Sequence, residues 1–282
     1  VFEPLSIQKL ANRTRAYLKI QDGCSQYCSY CIIPYARGPI RSREPQEVVA
    51  EVKRLAENGF KEVVLTGIHV ASYGKDRRDT SLLDILKQVH EVEGIERIRF
   101  SSIEPNVVTE EFAQTMAALP KVCDHFHLSL QSGCNKTLKE MNRKYDTEKY
   151  RQAVATLRKY LPKVALTTDI IVGFPGETEE DFRESYAFAE EIGFAKIHVF
   201  PYSPKRGTPA AARKDQLLNA VKSERSHTLI QLSDRMAADF LADAVGTDAE
   251  VLYERAVGDG IYEGHTTNYM KVHGRSEADL TN

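Results

Sequence analysis

Asp22-Gly23-Cys24-Ser25-Gln26-Tyr27-Cys28-Ser29-Tyr30-Cys31-Ile32-Ile33-Pro34 follows directly on a short β-type run, Ala16-Tyr17-Leu18-Lys19-Ile20, and its three cysteines decide how the chain is read. With three residues in the first gap and two in the second, Cys24, Cys28 and Cys31 can bring three thiolates to one polynuclear centre. The usual iron–sulfur cluster takes four thiolates and a structural zinc ion four ligands, so a set of three leaves one metal position open. An open iron is a reaction site that the amino-acid group of a small molecule can bind directly. The competing reading is a zinc knot completed by His69 or His127. Its placement counts against it, because structural zinc staples small, core-poor modules and this loop follows the first strand of a repeating core. Cys123 and Cys134 have no motif spacing and read as small buried hydrophobes.

Five more β-type runs follow: Glu62-Val63-Val64-Leu65, Arg97-Ile98-Arg99-Phe100, Phe126-His127-Leu128-Ser129-Leu130, Leu166 to Val172, and Ile197-His198-Val199-Phe200. Helical patterns lie between them. Val48, Val52 and Leu55 recur at helical spacing behind Pro45, and Thr178-Glu179-Glu180-Asp181 opens a segment to Ile192 like a capping box. Such alternation implies an α/β fold with a parallel sheet and right-handed crossovers, either an open doubly wound sheet or a barrel. In both, ligands gather at the C-terminal strand ends. The unusual residues fall there: the cysteines, Thr66-Gly67-Ile68-His69, Ser102-Ile103-Glu104-Pro105, Gln131-Ser132-Gly133, Gly173-Phe174-Pro175-Gly176 and Pro201-Tyr202-Ser203. One shared site accounts for them most economically.

Past Pro209, Leu229, Leu232, Met236 and Phe240 repeat at three- and four-residue spacing, the mark of an amphipathic bracing helix. From Ala249 the pattern turns to β-like runs, Ala249 to Tyr253 and Tyr269 to Val272. This stretch is too short for a core of its own, so it reads as a β module that is truncated or docked on the barrel.

Of the 282 residues 42% are apolar and 28% charged, and no stretch nears the roughly 18 consecutive apolar residues of a membrane span, so no membrane partner is expected. The start, Val1-Phe2-Glu3-Pro4, shows no secretory signal, and five cysteines, an odd number, suit a reducing, cytoplasmic compartment. A formal charge of −2 excludes nucleic-acid binding through bulk charge. Local patches at Arg37, Arg41 and Arg43, and at Lys205, Arg206, Arg213 and Lys214, are candidates; each also reads as a solvated face.

The cysteine segment resembles the signature of the radical S-adenosylmethionine (SAM) methylthiotransferases. His127-Leu128-Ser129-Leu130-Gln131-Ser132-Gly133 and Gly173-Phe174-Pro175-Gly176-Glu177-Thr178 resemble that family's fourth- and fifth-strand motifs, in the same order. The resemblance implies that Cys24, Cys28 and Cys31 bind a 4Fe-4S cluster and that Tyr30 lies near the adenine of SAM. It places the region of Thr66 and Gly67 at the methionine amino group, Gln131 and Ser132 at the ribose, Arg143 at the carboxylate and Gly173 at the adenine edge. Each has an alternative: both glycines can serve positive φ, and Arg143 can cap a helix beside Lys144. Thr66-Gly67-Ile68-His69 and Phe200-Pro201-Tyr202-Ser203-Pro204 look most like the threonylcarbamoyladenosine tRNA branch rather than the isopentenyladenosine or ribosomal-protein branches. Tyr262 to Tyr269 resembles the start of the TRAM module, a small RNA-binding β fold, with Tyr262, His265, Tyr269 and Lys271 offering rings and charge to unpaired bases. The same residues also read as an ordinary exposed strand.

The fold so implied is an open, partial (βα)6 TIM-like barrel of radical SAM type. Its divisions are a linker over 1–11, the core over 12–215, a bracing helix over 216–245 and a partial TRAM-like module over 246–282. The implied function is methylthiolation of threonylcarbamoyladenosine in the tRNA anticodon stem-loop, with a reducing electron donor and a sulfur source as partners. Two readings from other classes stand beside it: a zinc-stabilised RNA-binding module without catalysis, and a radical SAM enzyme that modifies a protein side chain through the same barrel. Family members begin with a separate domain carrying a second 4Fe-4S cluster, and only residues 1–15 precede the first strand here. The resemblance therefore implies a fragment that binds one cluster and SAM but does not complete sulfur insertion.

Overall fold

The computed structural model describes residues 14–282, so the expected 1–11 linker lies outside the described residues. Its first strand, β1 (Arg15–Asp22), is followed by the cysteine loop, a short helix α1 (Ile33–Arg37) and a two-residue strand β2 (Arg41–Ser42) that folds back antiparallel on the end of β1. The regular alternation then begins: α2 (Pro45–Glu57), β3 (Glu62–Gly67), α3 (Leu82–His90), β4 (Arg97–Phe100), α4 (Glu110–Ala118), β5 (His125–His127), α5 (Asn135–Glu140), α6 (Thr147–Tyr160), β6 (Ala165–Val172), α7 (Glu179–Ile192) and β7 (Lys196–Pro201). Pro45 opens α2 as its first residue, and Thr178 and Asp181 close a reciprocal capping box on α7.

β1, β3 and β4 pair in parallel, as do β5, β6 and β7. The two groups meet through isolated parallel bridges, Ile98 with Val122 and Ile103 with Leu128. All six expected parallel strands are present, curled into an open half-barrel. The fourth is shorter than the sequence pattern, because only His125–His127 ladders fully with β6 and the chain then touches its neighbours at single bridges, Leu128 to Ile103 and Gln131 to Ile170. The antiparallel β2 has no counterpart in the sequence pattern; a two-residue strand is too short to show a period.

Outward-facing strand residues such as Ala16, Leu18, Ile20, Val63, Leu65, Ile98, Phe126, Leu128, Leu166 and Ile170 are buried under the helices in one continuous core. Residues of the opposite alternation line the lumen, and many are polar: Arg15, Glu62, Arg99, His125, His127 and Asp169. The long helix α8 (Asn219–Asp243) packs its buried Leu229, Leu232 and Met236 beside β7, where Ser233 Oγ accepts from Ile197 N at 2.9 Å. Phe240 is only half-buried.

Three strands, β8 (Val251–Gly258), β9 (Ile261–Thr266) and β10 (Lys271–Arg275), form a C-terminal antiparallel sheet in the order β10-β9-β8. Tyr262 and His265, which also read as part of an exposed strand, do lie on β9, whereas Tyr269 belongs to the β9–β10 turn, at φ 70°, rather than to a strand. This sheet docks on the N-terminal end of the half-barrel. Arg97, buried, donates to the backbone oxygens of His265 and Glu250, Arg99 donates to Thr267 O, and Arg15 pairs with Glu254 at 2.8 Å. Among the described residues no helix is long and apolar enough to cross a membrane.

Candidate active site at the open end of the half-barrel

The cysteine loop is anchored on both sides. At its entry the Asp22 carboxylate accepts from Gly23 N, from Arg37 Nε and Nη2 and from Arg41 Nη2, and it pairs with Lys19. Partial burial opposes its ionisation, but these donors together hold the carboxyl well below the usual range. In its middle, Ser29 N donates to Met141 O and Ser29 Oγ to Glu140 O, Ala210 N donates to Ser29 O, and Asn142 Nδ2 donates to Tyr27 O. The first basic patch is therefore structural: Arg37 and Arg41 hold Asp22, and Arg43 is buried beside Glu47 and Glu51. In the second patch Arg213 is spent on Glu140 and Asp215, while Lys205 and Arg206 are exposed.

Cys28 is buried, and Cys24 and Cys31 are half-buried. Burial and the neighbouring sulfurs push the thiols of Cys24 and Cys31 up, so the three sulfurs sense one another. Arg143 donates to Cys28 Sγ at 3.2 Å, to Glu104 Oε1 at 2.7 Å and to the Tyr145 hydroxyl at 2.9 Å. That hydroxyl donates in turn to Ser129 O. The other Glu104 oxygen lies 3.2 Å from His69 Nε2. Burial works against the Glu104 charge, yet His69 and Arg143 together keep its carboxyl below the ordinary value. The expected helix-capping alternative for Arg143 is replaced by this buried relay.

Tyr30 donates its hydroxyl to Gln131 Oε1 at 3.0 Å, and burial raises its phenol well above the usual range. Gln131 adopts φ 70°, a conformation rare for a side-chain-bearing residue, and such strain persists where the surroundings fix it. Ser132 is buried, and its Oγ accepts from Cys134 N. Gly67 is not in the left-handed region; a Cβ there would stand 2.7 Å from Gln21 Oε1, so close approach demands the glycine. Gly173 does adopt φ 69°, and a Cβ would meet Lys222 Cγ at 2.4 Å. Its N–H donates to Glu177 Oε1, which also accepts from Arg225 at 2.6 Å, so α8 secures this loop from outside.

A model of the "Radical SAM superfamily" matches residues 18–189, more than half of the chain. The chain belongs to the radical SAM superfamily. The chain is 44% identical over 285 residues to the threonylcarbamoyladenosine tRNA methylthiotransferase MtaB of Bacillus subtilis (strain 168), covering 99% of this chain and 63% of the relative. It is 45% identical over 255 residues to a tRNA-2-methylthio-N(6)-dimethylallyladenosine synthase of Thermoanaerobacter sp. (strain X514), covering 90% of this chain and 54% of that one. The chain thus spans between about half and two-thirds of the length of these relatives. The fold likeness extends to the radical S-adenosylmethionine methyltransferase TsrM of Kitasatospora setae, solved with cobalamin and a [4Fe-4S] cluster, at a TM-score of 0.58 and 18% identity over 69% of this chain and 38% of that one.

The donor set fits an iron–sulfur cluster. Three cysteines share one anchored loop, and an arginine donates to the middle sulfur, as suits a thiolate. A zinc ion completed by either histidine fits less well. His69 and His127 are engaged instead with Glu104 and with Asp169 and Thr167. Tyr30, Gln131 and Arg143 are brought to the cysteines, and Gly67 and Gly173 stand at strand ends, where close approach or a positive φ calls for glycine. Tyr145 and Arg225 escaped the sequence reading, and Glu104 and Glu177 stood in strand-end segments without a role of their own. Glu104 lay in a loop marked by position alone, and Arg225 looks like any helical surface arginine.

Of the proposed RNA contacts, Tyr269 stacks on His125 and His265, with ring centroids 4.9 and 4.8 Å apart. His265 Nδ1 also lies 2.6 Å from Glu254 Oε1. Tyr262 sits edge-on to Tyr253, and Lys271 pairs with Glu263.

Proposed function

We propose that this chain is the catalytic core of a tRNA methylthiotransferase acting at carbon two of threonylcarbamoyladenosine beside the anticodon. What carries the reading is the gathering of Cys28, Tyr30, Gln131 and Arg143 at one end of the half-barrel, in a chain 44% identical to a relative bearing that activity in its name. Cys24, Cys28 and Cys31 would hold a 4Fe-4S cluster, which would supply the electron for reductive cleavage of SAM and so open radical chemistry at the target.

The chain's own residues bind and orient. Arg143 presents a planar fork to the SAM carboxylate, with Glu104 and Tyr145 fixing its plane. Tyr30 and Gln131 hold the nucleoside portion, and the loop of Gly173, clamped by Glu177 and Arg225, closes over the adenine edge. The curled sheet keeps bulk water from the reacting atoms. The reading carries with it a sulfur source, a second 4Fe-4S cluster and a reducing electron donor, none of which it assigns to the residues described here. The comparable identity to the dimethylallyladenosine synthase favours that nucleoside as the second reading.

Anaerobic reconstitution with iron and sulfide, followed by metal analysis and assay of deoxyadenosine formed from SAM with a strong reductant, tests the core of this proposal. About four irons per chain with SAM cleavage is the expected result. Stoichiometric zinc without cleavage overturns it. Label transferred by the full-length protein to ribosomal protein instead of tRNA overturns the substrate.

A further inference from the structure

Below the level of Gln131, the lumen faces of β5, β6 and β7 carry three ionisable side chains the site above does not use. His127 Nε2 lies 3.2 Å from Asp169 Oδ2, Asp169 is the sheet partner of His198, and the rings of His127 and His198 are 5.7 Å apart. Thr167 Oγ1, 3.1 Å from His127 Nδ1, fixes the His127 ring. Asp169 is bound to the cofactor level through its backbone, since Gln131 N donates to Asp169 O at 2.8 Å. The Asp169 side chain keeps 29% of its surface, and His198 is exposed. Two residues further along the same face of β7, Phe200 is 51% exposed.

The lumen face is polar along much of its length, and the layer at Asp169 and His198 is a part of it left partly open. Its chemistry is that of recognition. A partly open carboxylate accepts N–H donors, an exposed imidazole donates to a carbonyl or carboxylate, and an exposed ring offers a face to a purine. The two nucleosides named in the relatives differ in this respect. A threonylcarbamoyl group carries ureido N–H, carbonyl, hydroxyl and carboxylate, whereas a dimethylallyl group is a hydrocarbon that would strip water from Asp169 and return nothing.

We propose that Asp169 and His198, with His127 bracing Asp169 and Phe200 supporting the base, form the specificity-determining layer of the substrate site and select a polar, ureido-bearing substituent on the adenine over a hydrocarbon one. This rests on the tRNA reading above. A site built to hydrogen-bond its substrate rejects the analogue lacking those groups far more strongly than an apolar pocket discriminates by size.

The test is equilibrium binding of the reconstituted full-length protein to anticodon stem-loop hairpins carrying threonylcarbamoyladenosine, dimethylallyladenosine or plain adenosine. The unmutated protein is expected to prefer the first over the second by about tenfold or more. Asp169→Asn and His198→Ala should each shrink that ratio towards one, with an unchanged unfolding temperature showing that the barrel is intact. A ratio that survives both substitutions, or a preference for the dimethylallyl hairpin, overturns the specificity layer and leaves the tRNA reading standing. Failure to bind any hairpin overturns both.

Discussion

Arg143 joins the cysteine loop to the rest of the site by donating to Cys28 Sγ at 3.2 Å while its second terminal nitrogen donates to Glu104 at 2.7 Å. Both side chains of the ion pair are more than nine-tenths buried, so neither can fall back on water. Arg143→Ala strands Glu104 with His69 alone, and breaking a buried pair in this way costs about 3 kcal/mol. Arg143→Lys keeps the charge and loses the fork, so it should retain most of the stability and little of the SAM binding. Urea unfolding and SAM affinity of the reconstituted protein, measured side by side, separate the two effects.

His125 gives the acid limb of the stability curve. Burial, with the charge of Arg99 second, pushes its imidazole down to about 3 from an ordinary 6.5, so the ring is neutral in the fold and protonates in the unfolded chain. The unfolded state therefore binds the extra proton, and stability that is complete above pH 6.5 is lost as the pH falls towards the folded value. The slope is about 1.4 kcal/mol per pH unit. His125→Phe keeps a ring against Tyr269 and removes the titration. Between pH 7 and pH 5 the unmutated protein should lose about 2 kcal/mol more than the variant, as read from urea midpoints.

The half-barrel was legible because period-2 runs and helical spacing alternate without a break, and because Val48, Val52, Leu55, Leu229 and Leu232 all turn inward as their spacing requires. The cysteine loop was legible because three thiols in one short segment admit few uses. Glu104, Tyr145 and Arg225 were not, since their roles arise between residues distant in the chain, as when Arg143 meets Cys28 across 115 positions. The use of the basic run after the cysteines was not legible for the same reason: Asp22, which neutralises Arg37 and Arg41, declares itself only once β1 and β2 pair. β9 was legible only as one of two readings, because Ile261 to Thr266 places a glycine and two charged or ionisable residues where a strand pattern wants alternation.

Gly173 offers a test with two separable parts. An alanine there must take up φ 69° and must also displace Lys222, whose Nζ donates to Tyr202 O. The left-handed conformation alone costs a side-chain-bearing residue about 1–2 kcal/mol, and the collision adds to it. Lys222→Ala in the same chain removes the collision and leaves the backbone cost. Gly173→Ala should therefore be rescued only in part by Lys222→Ala, a coupling that a double-mutant cycle of unfolding free energies measures directly.

Cys123 and Cys134 serve as internal controls for the cysteine assignment. Both are buried, and burial pushes the Cys123 thiol up to about 12, far from the thiolate that binds metal or reacts. Cys123→Ala should keep full iron loading and SAM cleavage, whereas Cys28→Ala should lose both together. Under native conditions an alkylating reagent should label Cys24 and Cys31 in the metal-free chain well before Cys123, which peptide mass mapping resolves.

Tyr269 decides between two uses of the C-terminal sheet. Its ring lies between His125 and His265, with the guanidinium carbons of Arg99 and Arg15 at 4.7 and 5.2 Å from its centroid, so it plugs the closed end of the lumen although 39% of its surface stays open. Two stacked rings and two cations on one aromatic are worth about 2 kcal/mol together, enough to hold a small sheet that has little core of its own. Tyr269→Ala should then expose residues 249–282 to protease and to hydrogen exchange, while Tyr269→Phe should protect them nearly as well as tyrosine. A stacking platform for RNA bases predicts another pattern: hairpin affinity would fall in Tyr269→Ala with the sheet still protected. Measuring protection and hairpin affinity on the same two variants tells a latch from a platform, and the four groups packed on this ring favour the latch.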